Sequence, residues 1–387
     1  MKYHRMLIYS MILLYVLSSC QQDERESIVS VSLQKIGETA LPFPDSALPN
    51  TFCMKYFSDS PSSAHLFYLN KANNSIILYD MNTKSIAKEI VFPKEGQQGF
   101  GIVTGFTIHN LDTIYISSSG DPTLYVTDTT GILKQKIRYD QTIEGLSSQY
   151  TRLFSRPYKD VIVRDNYLVL SSPFPIGRRV PSKSEINNHP MFIKIDNKGA
   201  FEAMSVSPPN DYFKNNQLYE LTFAVADAGG KIAYSYYSDH NVYYTVDGAE
   251  AHKKAAQSDY IKELEPTDNY NNPAYYYAKA ALYRNLFYDP YRNLFYRIAK
   301  HAIDNFEDVN MRPEDAYQYP PTFSIIILDK NLDKIGEVLF DEPGYYDMYQ
   351  TFVGREGIYI STSNPFNPDY DENRLTFEIW EPYELSE

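Results

Sequence analysis

Cysteine is nearly absent from this chain, whose 387 residues include only Cys20 and Cys53. Two cysteines cannot build the disulfide framework that stabilises many small exported domains. Core packing must therefore stabilise the fold. A chain of this length with 43% hydrophobic residues has enough apolar side chains for that task.

Long hydrophobic runs are also missing. The most apolar segment, residues 6–17, is too short to span a bilayer as a helix. It follows a basic N-terminus and leads into Leu17-Ser18-Ser19-Cys20, an arrangement that resembles a bacterial lipoprotein signal. The resemblance implies that residues 1–19 are a signal peptide and that Cys20 carries the lipid, including palmitate. The alternative is an ordinary buried thiol behind an uncleaved anchor.

The residues that follow Cys20 are polar and mostly acidic, and we interpret residues 20–27 as a lipidated acidic tether. Acidic residues in this position resemble the export signal of surface-exposed lipoproteins in Bacteroides-type bacteria. We therefore expect a lipid-anchored protein of the outer membrane that is exposed on the cell surface. A periplasm-facing location is the alternative, and in both cases the membrane is a partner through Cys20.

Positive charge is in deficit, with 36 Lys and Arg against 49 Asp and Glu and a net charge of −13. Removal of residues 1–19 takes away Lys2 and Arg5 and brings the net charge near −15. Such a surface repels phosphate backbones, which argues against nucleic acid as a partner.

Catalytic and cofactor motifs are missing as well. The sequence has no Gly-x-Ser-x-Gly elbow, no phosphate-binding loop and no dinucleotide fingerprint. No pair among the seven histidines has the close spacing of a metal motif. We therefore predict no cofactor, no metal and no catalytic residue, and we favour a binding protein over an enzyme.

Tyrosine, in contrast, is abundant: there are 36 Tyr and 21 Phe but a single Trp. Tyrosine favours strands, where its ring packs and its hydroxyl contacts water or a partner. The composition is typical of a β-rich protein. A tyrosine-lined carbohydrate or peptide site is the second interpretation.

Short apolar strands separated by polar turns recur along the chain, and helical periodicity is rare. In the first unit the strands are Leu66–Leu69, Ile76–Asp80 and Ile86–Phe92. An acidic residue closes the middle strand of each unit, where aspartate readily starts a tight turn. The six marker residues are Asp80, Asp128, Asp196, Asp247, Asp329 and Glu381.

Six such units predict an all-β fold, a six-bladed β-propeller of the TolB-like or NHL-like kind spanning residues 28–387. The last unit lacks its outer strand, which the segment Ile28–Leu33 can supply from the N-terminus. Joining both ends of the chain in one blade would leave no open seam. A seven-bladed ring or a pair of sandwich domains is the alternative.

Four insertions interrupt the strand pattern, at residues 173–190, 249–290, 301–322 and 364–374. The second contains the one segment with helical character, Lys253–Leu264. Insertions of this kind frame the mouth of a propeller channel, where binding sites occur.

The candidate ligand-binding residues are basic or aromatic and lie in or beside these insertions. A duplicated string covers residues 283–297 and reads as two strands joined by a turn at Asp289-Pro290, the interpretation we favour. Its arginines can instead recognise a carboxylate or a sugar. The candidates are Arg178, Arg179, Tyr275, Tyr276, Tyr277, Arg284, Arg292 and Arg297.

The lipoprotein signal, the six strand units and the string Tyr288–Arg292 with Tyr296-Arg297 resemble the propeller lipoproteins of Bacteroides-type bacteria that are classed as domain of unknown function 4221. The resemblance covers essentially the whole mature chain. It implies a cell-envelope propeller and supplies no catalytic residues.

Three functions follow as hypotheses. The first is a non-catalytic binding or scaffold module that recognises a glycan, a peptide or an envelope protein through its mouth loops. The second is a hydrolase or lyase with a site at the propeller axis. The third is a regulatory or sensory lipoprotein coupled to an envelope complex.

Overall fold

A computed structural model describes residues 30–119, 123–138, 159–172, 182–196, 198–209, 213–214, 217–267 and 272–385. The chain divides into two compact units, Met1–Ser30 and Val31–Glu387. All the described helices and strands belong to the second unit. Within the described ranges, no helix has the length and the apolar character needed to cross a membrane.

The second unit is a six-bladed β-propeller, and each blade is a four-stranded antiparallel sheet. From the inner to the outer strand, blade 1 contains β2 (Met54–Ser60), β3 (Ser63–Asn70), β4 (Ser75–Asp80) and β5 (Ser85–Val91). Blade 2 contains β6 (Val103–Asn110), β7 (Thr113–Ser118), β8 (Thr123–Thr127) and β9 (Gln135–Arg138). Blade 3 contains β10 (Ile162–Arg164), β11 (Tyr167–Ser171), β12 (Phe192–Asp196) and β13 (Phe201–Ala203).

The other three blades follow the same order. Blade 4 contains β16 (Phe223–Asp227), β17 (Ile232–Tyr236), β18 (Asn241–Thr245) and β19 (His252–Ala255). Blade 5 contains β20 (Leu282–Asp289), β21 (Leu294–Lys300), β22 (Phe323–Leu328) and β23 (Lys334–Phe340). Blade 6 contains β24 (Tyr346–Val353), β25 (Ile358–Ser361), β26 (Arg374–Glu384) and β1 (Val31–Pro42).

Short elements occupy the connections between these strands. The elements are the hairpin β14 (Phe213–Lys214) and β15 (Gln217–Leu218), the helices α1 (Lys183–Asn187), α2 (Pro273–Lys279) and α3 (Pro313–Gln318), and a 3₁₀ turn (Phe306–Asp308).

The burial of each strand follows its position in the blade. Middle strands such as β22 are buried along their whole length because a neighbouring blade covers each face. The outer strand β5 is exposed except near its end. Apolar clusters fill the spaces between blades; the one between blades 1 and 2 includes Phe67, Ile76 and Phe106. Burying each such side chain contributes roughly 1.5–3 kcal/mol.

The predicted marker aspartates do start the turns between the third and fourth strands. The Asp80 carboxylate accepts hydrogen bonds from the backbone N–H groups of Asn82 and Thr83, at 2.8 and 3.1 Å. Asp329 accepts in the same way from Asn331 and Asp333, both at 2.8 Å. The sixth marker is wrong, because Glu381 lies inside β26 and no strand follows it in the described chain.

The N-terminal strand closes the ring, as the sequence predicts. Strand β1 pairs with β26 in antiparallel register from Val31 opposite Glu384 to Pro42 opposite Arg374. The predicted bounds, Ile28–Leu33, are too short at the C-terminal side, and Ile28 lies outside the described residues.

The predicted helix Lys253–Leu264 is wrong. Its first residues belong to β19, where Lys254 pairs with Val242 of β18, so sheet pairing overrides the local helical preference. The helix in this connection is α2, which begins after Asn272, whose side chain caps the first turn, and has Pro273 at its first position.

The antiparallel order of the blades sorts the connections into two ends. Each chain segment that joins the first to the second strand, or the third to the fourth, lies at one end, which we call the turn end. Each segment that joins the second to the third strand, or one blade to the next, lies at the opposite end, the loop end. The described residues of two predicted insertions, 182–190 and 301–322, lie at the loop end, and so do residues 364–373 of a third. The insertion predicted at residues 249–290 is too wide. Its residues 256–267 and 272–281 lie at the loop end, but residues 249–251 and 290 lie at the turn end, and residues 252–255 and 282–289 belong to strands β19 and β20.

Candidate functional site

The inner strands of blades 5 and 6 are irregular where they begin, at the loop end. Strand β20 shifts register between Tyr283 and Leu286, and β24 shifts register between Tyr346 and Thr351. Bulges of this kind re-aim side chains and are enriched beside functional sites. In this protein they direct polar residues into the space between the two blades.

Arg284 and Asp347, one from each bulge, form a fully buried ion pair. Arg284 Nη1 donates to the two carboxylate oxygens at 2.8 and 3.0 Å, and Nη2 donates to the carbonyl oxygen of Tyr317. Burial raises the pKa of the Asp347 carboxyl, an effect that the adjacent Arg284 guanidinium opposes. The pair links blades 5 and 6.

A second buried cation lies close to this pair. Lys300 Nζ donates to the carbonyl oxygens of Ala280 at 2.8 Å and His301 at 3.2 Å. Burial lowers the pKa of the Lys300 ammonium well below its ordinary value, and the charge of Arg284 lowers it further. Because Ala280 ends α2, Lys300 holds the C-terminus of that helix against blade 5.

Four buried polar atoms in the same region have no hydrogen-bond partner among the described residues. They are Arg284 Nε, Asn285 Oδ1, the Tyr346 hydroxyl and Thr351 Oγ1. Buried polar groups are normally paired with protein or ordered water. All four atoms lie at the seam between β20 and β24, the inner strands of blades 5 and 6.

A row of aromatic rings crosses the loop end above this seam. Its members are in contact in the order Phe366, Tyr319, Tyr346, Tyr349 and Phe52, with centroid distances of 6.0, 4.9, 6.1 and 5.1 Å. We call these five residues the aromatic row. They come from three loop-end connections and the inner strand β24, so the fold assembles the row from distant parts of the chain.

The aromatic row is graded in exposure from rim to centre. Phe366 is 44% exposed, Tyr319 and Phe52 are half-buried, and Tyr346 and Tyr349 are buried. Burial raises the pKa of Tyr319 to about 12, so its hydroxyl stays protonated and available as a donor. At the far end of the row, Lys71 Nζ lies 3.0 Å from the Phe52 ring centroid.

The predicted residues Tyr275, Tyr276 and Tyr277 lie on α2, beside the row. The Tyr275 hydroxyl donates to Glu307 at 2.8 Å, and Tyr276 is buried. The Tyr277 ring contacts that of Tyr317 at 5.2 Å, and Tyr317 in turn lies against the Arg284 guanidinium at 4.9 Å. Helices α2 and α3 thus cover the buried ion pair.

The structure separates the three arginines of the duplicated string, whose two strands are β20 and β21 as predicted. Arg284 lies in the buried pair. Arg292 lies at the turn end, where it contacts Asp289 at 3.3 Å. Arg297 is fully buried between blades 4 and 5.

All five N–H donors of Arg297 bond to the protein, and its guanidinium carbon lies 3.5 Å from the Tyr283 ring centroid. The acceptors are Ser235 Oγ and the carbonyl oxygens of Asp239, His240, Asn241 and Ala256. Because all its donors are used within the protein, Arg297 has a structural role.

The remaining predicted positions, Arg178, Arg179 and Cys20, lie outside the described residues. Sequence reasoning did not identify Asp347, Lys300, Tyr319 or Phe366. A charged residue within an apolar strand, as at Asp347 and Lys300, is the signal that was present for two of them. In the part of the chain that the structure describes, no group of three or more His, Cys, Asp and Glu side chains is placed to hold a metal ion.

Comparison with known proteins identifies the family. The chain belongs to the family described as Domain of unknown function (DUF4221), whose profile matches residues 32–339. A search of curated proteins found no match.

Solved structures share the fold. The crystal structure of a DUF4221 member from Bacteroides vulgatus is 23% identical, with a TM-score of 0.81 over 93% of this chain and 100% of that one. The crystal structure of a protein from Bacteroides fragilis is 12% identical, with a TM-score of 0.51 over 95% of this chain and 98% of that one. These likenesses establish the propeller fold.

Proposed function

We propose that this DUF4221 protein is a lipid-anchored cell-envelope protein that binds a glycan, without chemical conversion, at the aromatic row on its loop end. Acylated Cys20 is the anchor in this proposal. The outer surface of the outer membrane is the location that the acidic residues after Cys20 favour.

The aromatic row is the observation that carries the proposal. Its rings provide apolar faces for a sugar ring, and the tyrosine hydroxyls provide donors and acceptors for sugar hydroxyls. The exposed Phe366 and half-buried Tyr319 offer contact surface at the rim. The buried Tyr346 and Tyr349 rings pack between the two ends of the row and support them.

The charged groups beneath the row favour binding over catalysis. General acid–base chemistry needs a group that reaches the substrate and exchanges a proton with it. Arg284, Asp347 and Lys300 are instead fully buried and bonded to the protein. In our proposal they hold the two blades and α2 in place so that the row keeps its shape.

Affinity electrophoresis tests the binding. The full chain is run through native gels that contain starch, pectin, chondroitin sulfate or mucin, with free reducing ends assayed in parallel. We expect retardation by one of these three polysaccharides or by the mucin glycoprotein, without release of reducing ends. Phe366→Ala should weaken it about tenfold, equivalent to the roughly 1.4 kcal/mol that a lost aromatic contact can cost.

Tyr383→Ala is the matched control, since Tyr383 is 38% exposed on β26 near the turn end, away from the row. Equal retardation of the two variants would contradict a site at the row. Release of reducing ends would favour the hydrolase or lyase alternative instead.

Metabolic labelling tests the anchor. We expect the wild-type chain and Cys53→Ala to incorporate labelled palmitate and to partition into detergent, because Cys53 is buried inside the propeller. Cys20→Ala should do neither. Labelling of Cys20→Ala at the wild-type level would remove the anchor from the proposal.

A further inference from the structure

The first strand of the propeller enters the ring at the turn end. Val31 pairs with Glu384, whereas Pro42, at the other end of β1, pairs with Arg374, which follows a loop-end connection. Gly336 gives independent support, because a Cβ on it would overlap the Val31 carbonyl oxygen. Gly336 is near the start of β23, just after the turn-end connection 329–333.

Chain length limits how far this entry point lies from an acylated Cys20. Residues 21–30 separate Cys20 from Val31. A chain of this length spans at most about 37 Å, even when fully extended. The twelve residues of β1 span a similar length, about 37 Å. With the loop end against the bilayer, the tether would have to run back along the whole of β1 and past the loop-end connections.

Two apolar side chains are exposed beside the entry point, one on each side of the exposed Glu384. Tyr383, which pairs with Ser32, and Leu385 are 38% and 45% exposed. Tyrosine is enriched where protein meets the headgroup region of a bilayer, because its ring is apolar and its hydroxyl is polar. These residues are suited to the place that the tether holds nearest the lipid.

We infer that the turn end of the propeller faces the lipid surface and that the loop end, with the aromatic row, points away from the membrane. The inference rests on the anchor in the proposed function. It identifies the turn end as a membrane-facing surface and leaves the row open to ligands that approach from outside the bilayer.

Cysteine-directed labelling tests this orientation. The chain suits it because its own two cysteines do not compete for the reagent: Cys20 is lipidated in the proposal, and Cys53 is buried. Leu48→Cys reports on the loop end and Leu385→Cys on the turn end, and both leucines are 45% exposed. Val246→Cys, at a residue that is 65% exposed, reports on the turn end of blade 4. Each lipidated variant is reconstituted into phosphatidylethanolamine and phosphatidylglycerol vesicles and treated with a polymer-linked maleimide.

We expect the Leu385→Cys and Val246→Cys variants to react several-fold more slowly on vesicles than after detergent is added, while Leu48→Cys reacts at the same rate in both. Protection at Leu48→Cys, or equal rates for all three variants on vesicles, would overturn the inference. Protection of Leu385→Cys alone would also overturn it, since the ring would then lie on the side of blade 6. Palmitate analysis of the same samples separates these outcomes from failure of the anchor, because an unacylated sample tests only the proposed function.

Discussion

Arg284 Nη1 lies 2.8 and 3.0 Å from the two carboxylate oxygens of Asp347, and both side chains are fully buried. The pair joins two inner strands whose paired residues are 63 positions apart in the chain. A buried ion pair is costly to desolvate, so its contribution to stability depends on both partners being present. This makes the β20–β24 seam sensitive to single substitutions.

Removing one partner of this pair should destabilise the protein strongly. We expect Arg284→Met to lower the free energy of unfolding by about 3–5 kcal/mol, because it leaves the Asp347 carboxylate buried without its hydrogen-bonded guanidinium partner. The double variant Arg284→Met/Asp347→Leu should recover most of the loss, since the uncompensated charge is gone. Urea denaturation followed by circular dichroism measures both values.

The exposed pair of Lys254 and Asp333, with a nitrogen–oxygen distance of 2.8 Å, supplies the control for that experiment. Lys254→Met should change stability by less than about 1 kcal/mol. A double variant as unstable as the sum of its single variants would show that the pair does not act as a unit.

Arg297 should not be replaceable by lysine. Arg297→Lys keeps the charge but cannot reproduce five hydrogen bonds in a fixed planar arrangement, so we expect a loss of at least about 3 kcal/mol. Arg312→Lys is the control, because the Arg312 side chain is mostly exposed and should be insensitive to the change. A loss for Arg297→Lys no larger than that for Arg312→Lys would contradict a structural task for Arg297.

His301 should make stability depend on pH. Burial lowers its pKa from about 6.5 to about 4, an effect opposed by Glu337 and reinforced by Lys300, and its Nε2 lies 3.0 Å from Ser324 Oγ. Between these two pH values the unfolded chain binds a proton that the folded chain does not. The free energy of unfolding therefore falls as pH is lowered through this range.

The expected contribution of His301 is about 2 kcal/mol, after a reduction for the partial exposure of the ring. Other groups titrate in the same range, so the comparison is between the wild type and His301→Gln. The difference in their unfolding free energies should shrink or reverse between pH 6.5 and pH 4. A difference that is independent of pH would exclude His301 as the cause.

Gly336 should be needed for the close approach between β23 of blade 5 and β1 of blade 6. Gly336→Ala places a Cβ where the Val31 carbonyl oxygen lies, so the backbone of β1 must move. We expect a loss of about 1–3 kcal/mol, together with faster amide hydrogen exchange in β1. In Gly37→Ala, also in β1, the added Cβ meets nothing within 4 Å, and exchange should stay at the wild-type rate.

The blades were predictable because their signals are local. Strand alternation and a turn-forming aspartate recur within each unit, and the hydrogen bonds of Asp80 and Asp329 confirm that chemistry. The helix around Lys253 was mispredicted for the opposite reason. Its residues pair with a neighbouring strand, and such tertiary pairing is invisible in a local pattern.

The site was less predictable, since it depends on contacts between distant residues. Tyr275 to Tyr277 were predicted as ligand-binding residues from their local sequence, whereas the aromatic row combines Phe52, Tyr319 and Phe366 from three separate connections. Asp347 lies at the bulge in β24, and the spacing of residues in the sequence does not predict that bulge. The orientation of the Arg297 side chain likewise depends on its hydrogen bonds to blade 4, which the duplicated string at residues 283–297 does not reveal.

Pairing of β1 with β26 also has a consequence for biogenesis. Lys35 and Glu378, 2.7 Å apart, are separated by 343 residues in the chain. Closing a loop of that length costs roughly 5 kcal/mol of chain entropy, and contacts of such sequence separation slow folding. Strand β1 is synthesised before the other described strands, but it cannot pair until its partner β26 has been synthesised. Until then it presents an unpaired edge, and we expect nascent chains to depend on chaperones during transport until ring closure protects that edge.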